Sequence, residues 1–147
     1  MRMAISKMET NDLTEVVAMG AASSSNPWSR NMFIEEMLNP RSHCFVAKSE
    51  EFPEQRIVGF VCFRNVEDES ELLNLCVHPQ YRRLGVARKL MEFYINFSTP
   101  IRTFYLEVDS LNHSAIHLYE LLLYKPVGIR KKFYRGESDA LLMAKGS

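Results

Sequence analysis

The feature that most constrains the fold of this chain is a change in the spacing of its apolar residues within segment 71–95. Residues 71–77 are a β-rich run that stops at His78 and Pro79. Proline cannot donate to a strand ladder, so a strand is predicted to end there. From Val86 onward the apolar residues recur at helical spacing, with charged residues between them: Val86, Ala87, Leu90, Met91, Tyr94 and Ile95. A strand that is followed at once by an amphipathic helix predicts a domain of the α/β class.

The rest of the chain continues this alternation. Further strands are predicted at residues 3–5, 43–47, 57–63, 104–108, 127–134 and 139–143, with hairpins between the second and third of these and between the last two. Helices are predicted after N-caps at Thr10 or Asn11 and at Ser29, and over residues 112–123. The element order β-α-α-β-β-β-α-β-α-β-β predicts one mixed α/β domain over residues 1–147, built on a central sheet.

Composition narrows the function classes. The chain has 18 Lys+Arg and 18 Asp+Glu, and this balance argues against bulk electrostatic binding to nucleic acid or anionic lipid. No apolar run approaches the ~18 residues of a membrane-spanning helix, and the polar N-terminus has no signal-peptide core. The cysteines Cys44, Cys62 and Cys76 form no CxxC pair, so neither a zinc site nor a disulfide framework is predicted. These features predict a cytoplasmic protein, a monomer or weak dimer, with no metal, nucleic-acid or membrane partner.

The loop between the predicted strand 71–77 and the helix from Val86 has the composition of an anion-binding turn. The first N–H groups of a helix lack partners, and the helix dipole favours negative charge there. Gly85 allows close approach of a phosphate, while Arg82 and Arg83 add positive charge. The sequence contains neither the GxGxxG of dinucleotide sites nor a Walker loop. The alternative is an ordinary turn with two solvated arginines.

Three motifs resemble those of one superfamily. Arg82-x-x-Gly85-x-Ala87 resembles the acetyl-CoA pyrophosphate motif of the GCN5-related N-acetyltransferases (GNAT). Segment 26–29, with the sequence Asn-Pro-Trp-Ser, resembles the start of the second helix in the bacterial ribosomal-protein-alanine N-acetyltransferases. Segment 106–120 resembles the fifth strand and fourth helix of that subgroup. The resemblance runs from about residue 3 to residue 143 and implies the GNAT fold, a mixed sheet of about seven strands flanked by about four helices.

The resemblance implies acetyl-CoA as co-substrate. The residues that it places against acetyl-CoA come from the fourth strand, the basic loop, the helix after it and the fourth helix: Leu75, Cys76, Val77, Arg82, Arg83, Leu84, Gly85, Val86, Ala87, Asn112 and Tyr119. Backbone amides of residues 75–77 are implied to pair with the pantetheine, and the Cys76 N–H to face the thioester oxygen.

Two residues are implied to be catalytic. Strand alternation places Glu107 on the face opposite Leu106 and Val108, and the resemblance makes it the general base, acting through a water. It makes Tyr119 the acid that protonates the leaving thiolate, which is feasible because a phenol has a pKa near 10 and a thiol near 8.5. The resemblance also implies direct attack in a ternary complex, and the sequence is consistent with this because no cysteine is marked as a nucleophile by an adjacent base. The alternatives are a solvated Glu107 and a core aromatic at Tyr119.

The acceptor is predicted to be a protein N-terminus. An α-amine has a pKa near 8 and a lysine near 10.4, so more of the α-amine is neutral at pH 7. The resemblance implies the N-terminal alanine of a small-subunit ribosomal protein, and the predicted acceptor-binding residues are Trp28, Asn74, Phe133 and Tyr134. Two other functions stay open: an acetyltransferase for a small amine, and a non-catalytic acetyl-CoA sensor.

Three further local patterns in the sequence concern Trp28, Leu123 and the basic run 130–132. Trp28 could instead be a hydrophobic staple that packs on Met32 or Phe33. Leu123 stands where the family usually has a glycine that ends the fourth helix, so a differently shaped helix end is expected because leucine is costly in the left-handed region. The basic run 130–132 is predicted to be a solvated strand edge.

Overall fold

The computed structural model of the chain describes residues 1–24, 26–51, 56–98, 100–134 and 138–147, apart from the side chain of Tyr134. Within them the elements follow the predicted order, with short 3-10 turns at Thr10–Asp12 and Pro79–Tyr81. The strands are β1 Met3–Lys7, β2 Ser42–Ser49, β3 Ile57–Val66, β4 Glu69–Val77, β5 Thr103–Asp109, β6 Lys125–Tyr134 and β7 Ser138–Gly146. The helices are α1 Leu13–Ser23, α2 Arg30–Leu38, α3 Val86–Phe97 and α4 His113–Leu121.

The seven strands form one mixed sheet in the order β1-β2-β3-β4-β5-β7-β6. Among the described residues only the β4–β5 pair is parallel, and the other neighbouring strands are antiparallel. The predicted α/β fold and both predicted hairpins are therefore confirmed. The turn residues 52–55 and 135–137 lie outside the described part of the chain. The last strand lies between β5 and β6, so β6 is at one edge of the sheet and β1 is at the other.

Each face of the sheet carries its own apolar cluster. On one face, helix α3 contributes Leu90, Met91 and Tyr94, which pack with Phe63 and Phe104 of the sheet. On the other face, α1 and α2 pack against the sheet through a second set of buried residues: Val16, Met19, Phe33, Phe60 and Cys62. The sheet therefore has an α3–α4 face and an α1–α2 face, and each strand residue points to one of them.

A bulge in β4 reverses the alternation of its side chains. Opposite β3, Leu72 pairs with Phe63 but Asn74 pairs with Cys62, so the register shifts by one residue at Leu73. Directly opposed residues share a face. Because Cys62 belongs to the α1–α2 cluster, Asn74 points to the α1–α2 face. Without the extra residue, Asn74 would point to the α3–α4 face.

The parallel strands β4 and β5 separate after three paired positions. Their ladder begins with Glu69 opposite Thr103 and ends with Glu71 opposite Tyr105. Both strands continue, β4 to Val77 and β5 to Asp109, but no described residue of one pairs with the other beyond that point. Between them lies an opening, bounded by backbone N–H and C=O groups that need partners.

The end of α4 corrects the expectation for Leu123. This residue has a φ of 74°, which is the left-handed region. Its N–H donates to the Glu120 carbonyl at 3.0 Å, and the Tyr124 N–H donates to the Tyr119 carbonyl at 3.0 Å. These are the two hydrogen bonds of a Schellman motif, and the Tyr119 and Tyr124 rings supply its apolar contact at 5.8 Å between centroids. The helix therefore ends as it would with glycine, although leucine is strained there.

Candidate active site

Backbone donors of β4 face the opening between β4 and β5. The His78 N–H donates to the Val58 carbonyl of β3 at 2.8 Å. Successive N–H groups of a strand point in opposite directions, so the Cys76 N–H also points toward β3. Those of Leu75 and Val77 therefore point into the opening, where an extended ligand can accept hydrogen bonds from them.

Cys76 takes a different position from the predicted one. Its N–H points toward β3, so the expectation that this N–H faces a thioester in the opening is wrong. Its side chain is buried on the α1–α2 face, with Sγ 3.8 Å from the Met19 carbonyl oxygen. Burial raises the pKa of the Cys76 thiol, which disfavours the thiolate that a nucleophilic cysteine needs.

The turn before α3 has the backbone shape of an anion cradle. Gly85 is the N-cap with a φ of 81°, and Arg83 is also left-handed with a φ of 64°. The Lys89 N–H is the first that bonds back to the Gly85 carbonyl, at 3.1 Å. The preceding amides, those of residues 86–88, have no acceptor within the helix. A Cβ at Gly85 would meet nothing within 4 Å, so the surroundings of this N-cap are open.

The other predicted residues of this turn surround the cradle. Arg82 and Leu84 are exposed together with Arg83 and Gly85, whereas Val86 is buried and Ala87 is half-buried. Exposed guanidinium groups beside free amides favour an anionic group such as a pyrophosphate.

Gly59 of β3 seats α3 against the end of β4. A Cβ at this position would lie 2.9 Å from the Cys76 carbonyl oxygen and 3.0 Å from the side chains of Leu90 and Val86. These contacts are too short for a real Cβ, so only glycine permits this approach. Gly59 thus sets the position of the cradle relative to the β4 donors, a role that its isolated place in a strand pattern did not reveal.

Glu107 lies in β5 on the α1–α2 face, as alternation predicted, and is ion-paired. Its Oε1 accepts a hydrogen bond from Nη2 of Arg130 at 2.8 Å. The Glu107 side chain is 24% exposed and that of Arg130 is 54% exposed. Arg130 also lies over the Phe133 ring, with its Cζ 4.9 Å from the ring centroid. The prediction that residues 130–132 form a solvated edge therefore misses the role of Arg130.

Further charges extend this pair across the sheet. Arg64 of β3 is directly opposite Glu71 of β4 and pairs with Glu36 of α2 at 2.8 Å. Glu36 also accepts a hydrogen bond from the Ser42 hydroxyl. We refer to five side chains on this face as the charged row: Glu36, Arg64, Glu71, Glu107 and Arg130.

Neither arginine of the charged row forms an ion pair with Glu71, in contrast to the other two carboxylates. No hydrogen bond or ion pair to the Glu71 side chain occurs among the described residues of the chain. Desolvation and the negative charge of Glu107 raise the pKa of Glu71, against the opposing effect of Arg64 and Arg130. Glu71 is exposed on the α1–α2 face, and a carboxylate with a perturbed pKa close to a predicted catalytic residue is a candidate for function. Nothing in the sequence pattern distinguished Glu71 from other acidic residues.

Two of the four predicted acceptor-binding residues, Asn74 and Phe133, are associated with Glu107. Asn74 shares the α1–α2 face with Glu107 because of the bulge, and Phe133 is linked to Glu107 through Arg130. The Tyr134 side chain lies outside the described part of the structure. Trp28 packs on Phe33 with ring centroids 5.1 Å apart.

The contact of Trp28 with Phe33 is a hydrophobic staple. Ser29 is the N-cap of α2, and its hydroxyl accepts a hydrogen bond from the Met32 N–H at 3.2 Å. Trp28 immediately precedes this cap and Phe33 is the fourth helical residue, which are the two positions of the staple. The staple interpretation is confirmed, and contact of Trp28 with an acceptor stays a prediction.

Tyr119 belongs to the apolar cluster of the α3–α4 face. It is 6% exposed and packs with Leu106 and Val108 of β5, whose side chains alternate with that of Glu107. Asn112 caps α4, since its side-chain oxygen accepts a hydrogen bond from the Ala115 N–H at 3.2 Å. Glu107 and Tyr119 thus lie on opposite faces of the sheet. Glu107 lies in the part of β5 beyond the last position that pairs with β4.

A separate cavity lies beside this opening. It has a volume of about 660 Å³ between α1, the start of β3 and the turn after β4. Its lining residues are Glu15, Ala18, Met19, Ala22, Arg56, Ile57, His78, Pro79 and Gln80. None of them is a predicted catalytic or binding residue.

The described residues contain no cluster of three or more His, Cys, Asp or Glu side chains arranged to hold a metal ion. No described helix is long and apolar enough to cross a membrane.

Known proteins are similar to this chain in sequence and in architecture. The family model for the acetyltransferase (GNAT) family matches residues 8–123. The ribosomal protein bS18-alanine N-acetyltransferase of Escherichia coli strain K12 is 30% identical over 145 residues, covering 95% of this chain and 95% of that protein. The crystal structure of the Escherichia coli ribosomal-protein-S18-alanine N-acetyltransferase has a TM-score of 0.88 at 31% identity, covering 99% of this chain and 94% of that one. Arabidopsis thaliana NAA60 in complex with acetyl-CoA shares the fold, with a TM-score of 0.85, 18% identity, and coverage of 99% and 98%.

Proposed function

The chain belongs to the acetyltransferase (GNAT) family and is an N-acetyltransferase, and we propose that it transfers the acetyl group of acetyl-CoA to the N-terminal α-amine of a protein. The observation that carries this proposal is the opening between β4 and β5. Backbone donors of β4 point into it, an anion cradle follows at the start of α3, and the two predicted catalytic residues lie on opposite faces of the sheet. This arrangement fits a thioester between the strands with an amine approaching from the α1–α2 face.

Acetyl-CoA supplies the activated acyl group, and the residues of the chain fit its two polar parts. The Leu75 and Val77 N–H groups would bind the extended pantetheine, which resembles an added strand. Amides at the start of α3, with Arg82 and Arg83 beside them, would bind the pyrophosphate. Gly85 adopts the left-handed conformation of the N-cap without strain, and its surroundings are open to a phosphate.

Glu107 would accept the proton of the attacking amine through a water. It is half-buried on the face from which the amine approaches, and Arg130 fixes one of its oxygens at 2.8 Å. The amine nitrogen then attacks the thioester carbon directly, because burial of the Cys76 thiol disfavours an acyl-enzyme at that residue. Asn74 shares this face and would help to position the water.

Tyr119 would donate its proton to the departing thiolate. The side chain lies on the α3–α4 face next to β5, and therefore on the side of the opening opposite Glu107. A base and an acid on opposite sides of the reacting carbonyl allow proton removal and proton delivery without either group moving.

The acceptor is proposed to be the N-terminal alanine of a small-subunit ribosomal protein. Support comes from the names of relatives about 30% identical over nearly the whole chain, which state this activity for those proteins. The acid–base chemistry is compatible, because an α-amine needs less assistance than lysine to lose its proton near neutral pH. This substrate would place the protein in the cytoplasm.

A thiol-release assay tests this function. The protein is incubated with acetyl-CoA and either a panel of N-terminal peptides or a panel of small amines, and free thiol is monitored. Release with peptides beginning in alanine is expected. Release only with small amines would show a small-molecule acetyltransferase, and acetyl-CoA binding without any release would show a non-catalytic sensor.

A further inference from the structure

The charged row contains three carboxylates and two guanidinium groups. Arg64 pairs with Glu36 and Arg130 pairs with Glu107, each at 2.8 Å. The third carboxylate, that of Glu71, lies between these two pairs without a cation at bonding distance among the described residues. A partly desolvated carboxylate in this position is stabilised by one additional cation.

The position of Glu71 indicates which group of an acceptor supplies that cation. Glu71 is opposite Tyr105, the last paired position before β4 and β5 separate. Glu107 lies two residues beyond Tyr105, which corresponds to about 7 Å along the strand. The reacting nitrogen belongs in the opening beside Glu107 and must be neutral when it attacks the thioester, so it is not the cation that pairs with Glu71 during the reaction.

An extended acceptor peptide would bring a later residue to Glu71. Neighbouring residues of an extended chain are ~3.4 Å apart, so the second and third residues lie within about 7 Å of the reacting nitrogen. The long side chain of lysine or arginine at either position can reach the α1–α2 face next to Glu71 while the backbone passes Glu107.

We propose that Glu71 is a specificity-determining residue that binds the positively charged side chain of a lysine or arginine at the second or third residue of the acceptor peptide. This inference rests on the proposed N-terminal acetyltransferase function and adds a preference for acceptors with a basic N-terminal segment. The resulting carboxylate–cation contact completes the alternation of charge along the charged row.

Paired peptides test the inference. One peptide begins with alanine and carries arginine at the second and third residues, and its partner carries glutamine at both. With the wild-type protein, kcat/KM is expected to be about tenfold higher for the basic peptide, mainly through a lower KM, because a charge-assisted hydrogen bond is lost in the neutral one. In Glu71→Gln the two peptides should become equivalent, and Glu71→Lys should prefer a third peptide with glutamate at these positions.

Glu69→Gln is the matched control. Glu69 lies on the same face two residues earlier, where its carboxylate already accepts a hydrogen bond from the Tyr105 hydroxyl at 3.2 Å, so this variant should keep the basic preference. Equal use of both peptides by the wild type, or an unchanged preference in Glu71→Gln, would overturn the inference. Equal loss of preference in Glu69→Gln would also overturn it, as would a KM that rises equally for both peptides in Glu71→Gln, which would indicate α-ammonium binding. Failure to acetylate any peptide would instead overturn the proposed function, and the inference with it.

Discussion

Nη2 of Arg130 lies 2.8 Å from Oε1 of Glu107, although β7 separates the strands to which the two residues belong. Glu107 is opposite Leu142 of β7, and Arg130 is opposite Ala140 of the same strand. The Arg130 guanidinium therefore crosses β7 diagonally to reach Glu107. The proposed base is thus held by a residue from β6, one of the two edge strands of the sheet.

Substitutions of this pair should affect turnover to different extents. Glu107→Gln is expected to lower kcat by about a hundredfold, the usual scale for loss of a general base. Arg130→Ala should lower kcat by about tenfold, because the carboxylate remains but loses its fixed orientation, and Arg130→Lys should recover part of that loss. Steady-state kinetics with an N-terminal peptide measure all three. Normal turnover in Glu107→Gln with acetyl-CoA binding intact would remove Glu107 from the mechanism.

Two tyrosines that touch each other at the end of α4 should behave differently. Tyr119→Phe is expected to lower kcat by about a hundredfold through loss of the acid. Tyr124→Phe is its control, because the buried Tyr124 hydroxyl has no hydrogen-bond partner within the described residues and burial raises its pKa. Removal of an unsatisfied hydroxyl should leave kcat unchanged and stabilise the fold by about 1 kcal/mol. Kinetics and urea unfolding of both variants check this, and a normal kcat in Tyr119→Phe would contradict the acid role.

Gly59→Ala should weaken acetyl-CoA binding from a distance. The added Cβ would meet the Cys76 carbonyl oxygen at 2.9 Å and Leu90 at 3.0 Å, so α3 must move away from β4. We expect a loss of about 2 kcal/mol of stability and a rise in the KM for acetyl-CoA. Gly20→Ala is the control, since its Cβ would meet Phe60 at 3.9 Å, an ordinary contact. An unchanged KM and unfolding midpoint in Gly59→Ala would show that this close approach is not required.

Leu123→Gly should stabilise the protein. Leu123 is 73% exposed and holds a φ of 74°, so glycine relieves left-handed strain of about 1 kcal/mol while removing little packing. Leu121→Gly is the contrasting variant. Leu121 lies in the last turn of α4, where glycine is expected to lower the free energy of unfolding by about 1 kcal/mol. Thermal unfolding of the two variants compares them. A lower melting temperature in Leu123→Gly would mean that the exposed leucine makes a contact worth more than the strain.

Glu71→Gln should stabilise the fold at neutral pH by less than about 1 kcal/mol. Desolvation and the charge of Glu107 raise the pKa of Glu71 above its ordinary value of 4.5, so the folded state binds this proton more tightly than the unfolded state. The stability that this provides is present below the ordinary pKa and is lost as the pH rises through the raised one. Unfolding experiments at pH 7 and at about pH 4 should therefore show an advantage of the glutamine variant only at pH 7. An equal advantage at both pH values would contradict this explanation.

Local patterns predicted much of the fold, and long-range geometry accounts for the rest. The order of strands and helices follows from apolar spacing and from local signals such as Pro79 and Ser29. The insertion of β7 between β5 and β6 depends on pairings between distant segments, which no local pattern carries. The bulge in β4, which places Asn74 on the same face as Glu107, was not predictable from a local pattern either, because it is defined by the register of β4 against β3.

In the candidate site as well, some residues were predictable from local patterns and others depend on contacts between distant segments. Arg82, Gly85 and Glu107 were identifiable because a motif or strand alternation marks each of them. Arg130 and Glu71 were not, because their importance comes from charges brought together by non-adjacent strands. Leu123 was misjudged because the two backbone hydrogen bonds and the Tyr119–Tyr124 contact at the helix end outweigh the strain of one residue.

The most direct test of the proposed function is the position of the acetyl group on a peptide that offers two kinds of amine. A peptide with an N-terminal alanine and one internal lysine is incubated with the protein and acetyl-CoA, and tandem mass spectrometry locates the modification. We expect the acetyl group on the alanine nitrogen alone, with one thiol released per acetylated peptide and almost no product with Glu107→Gln. Acetylation of the lysine instead, or an unmodified peptide under conditions in which the same preparation acetylates a small polyamine, would contradict it.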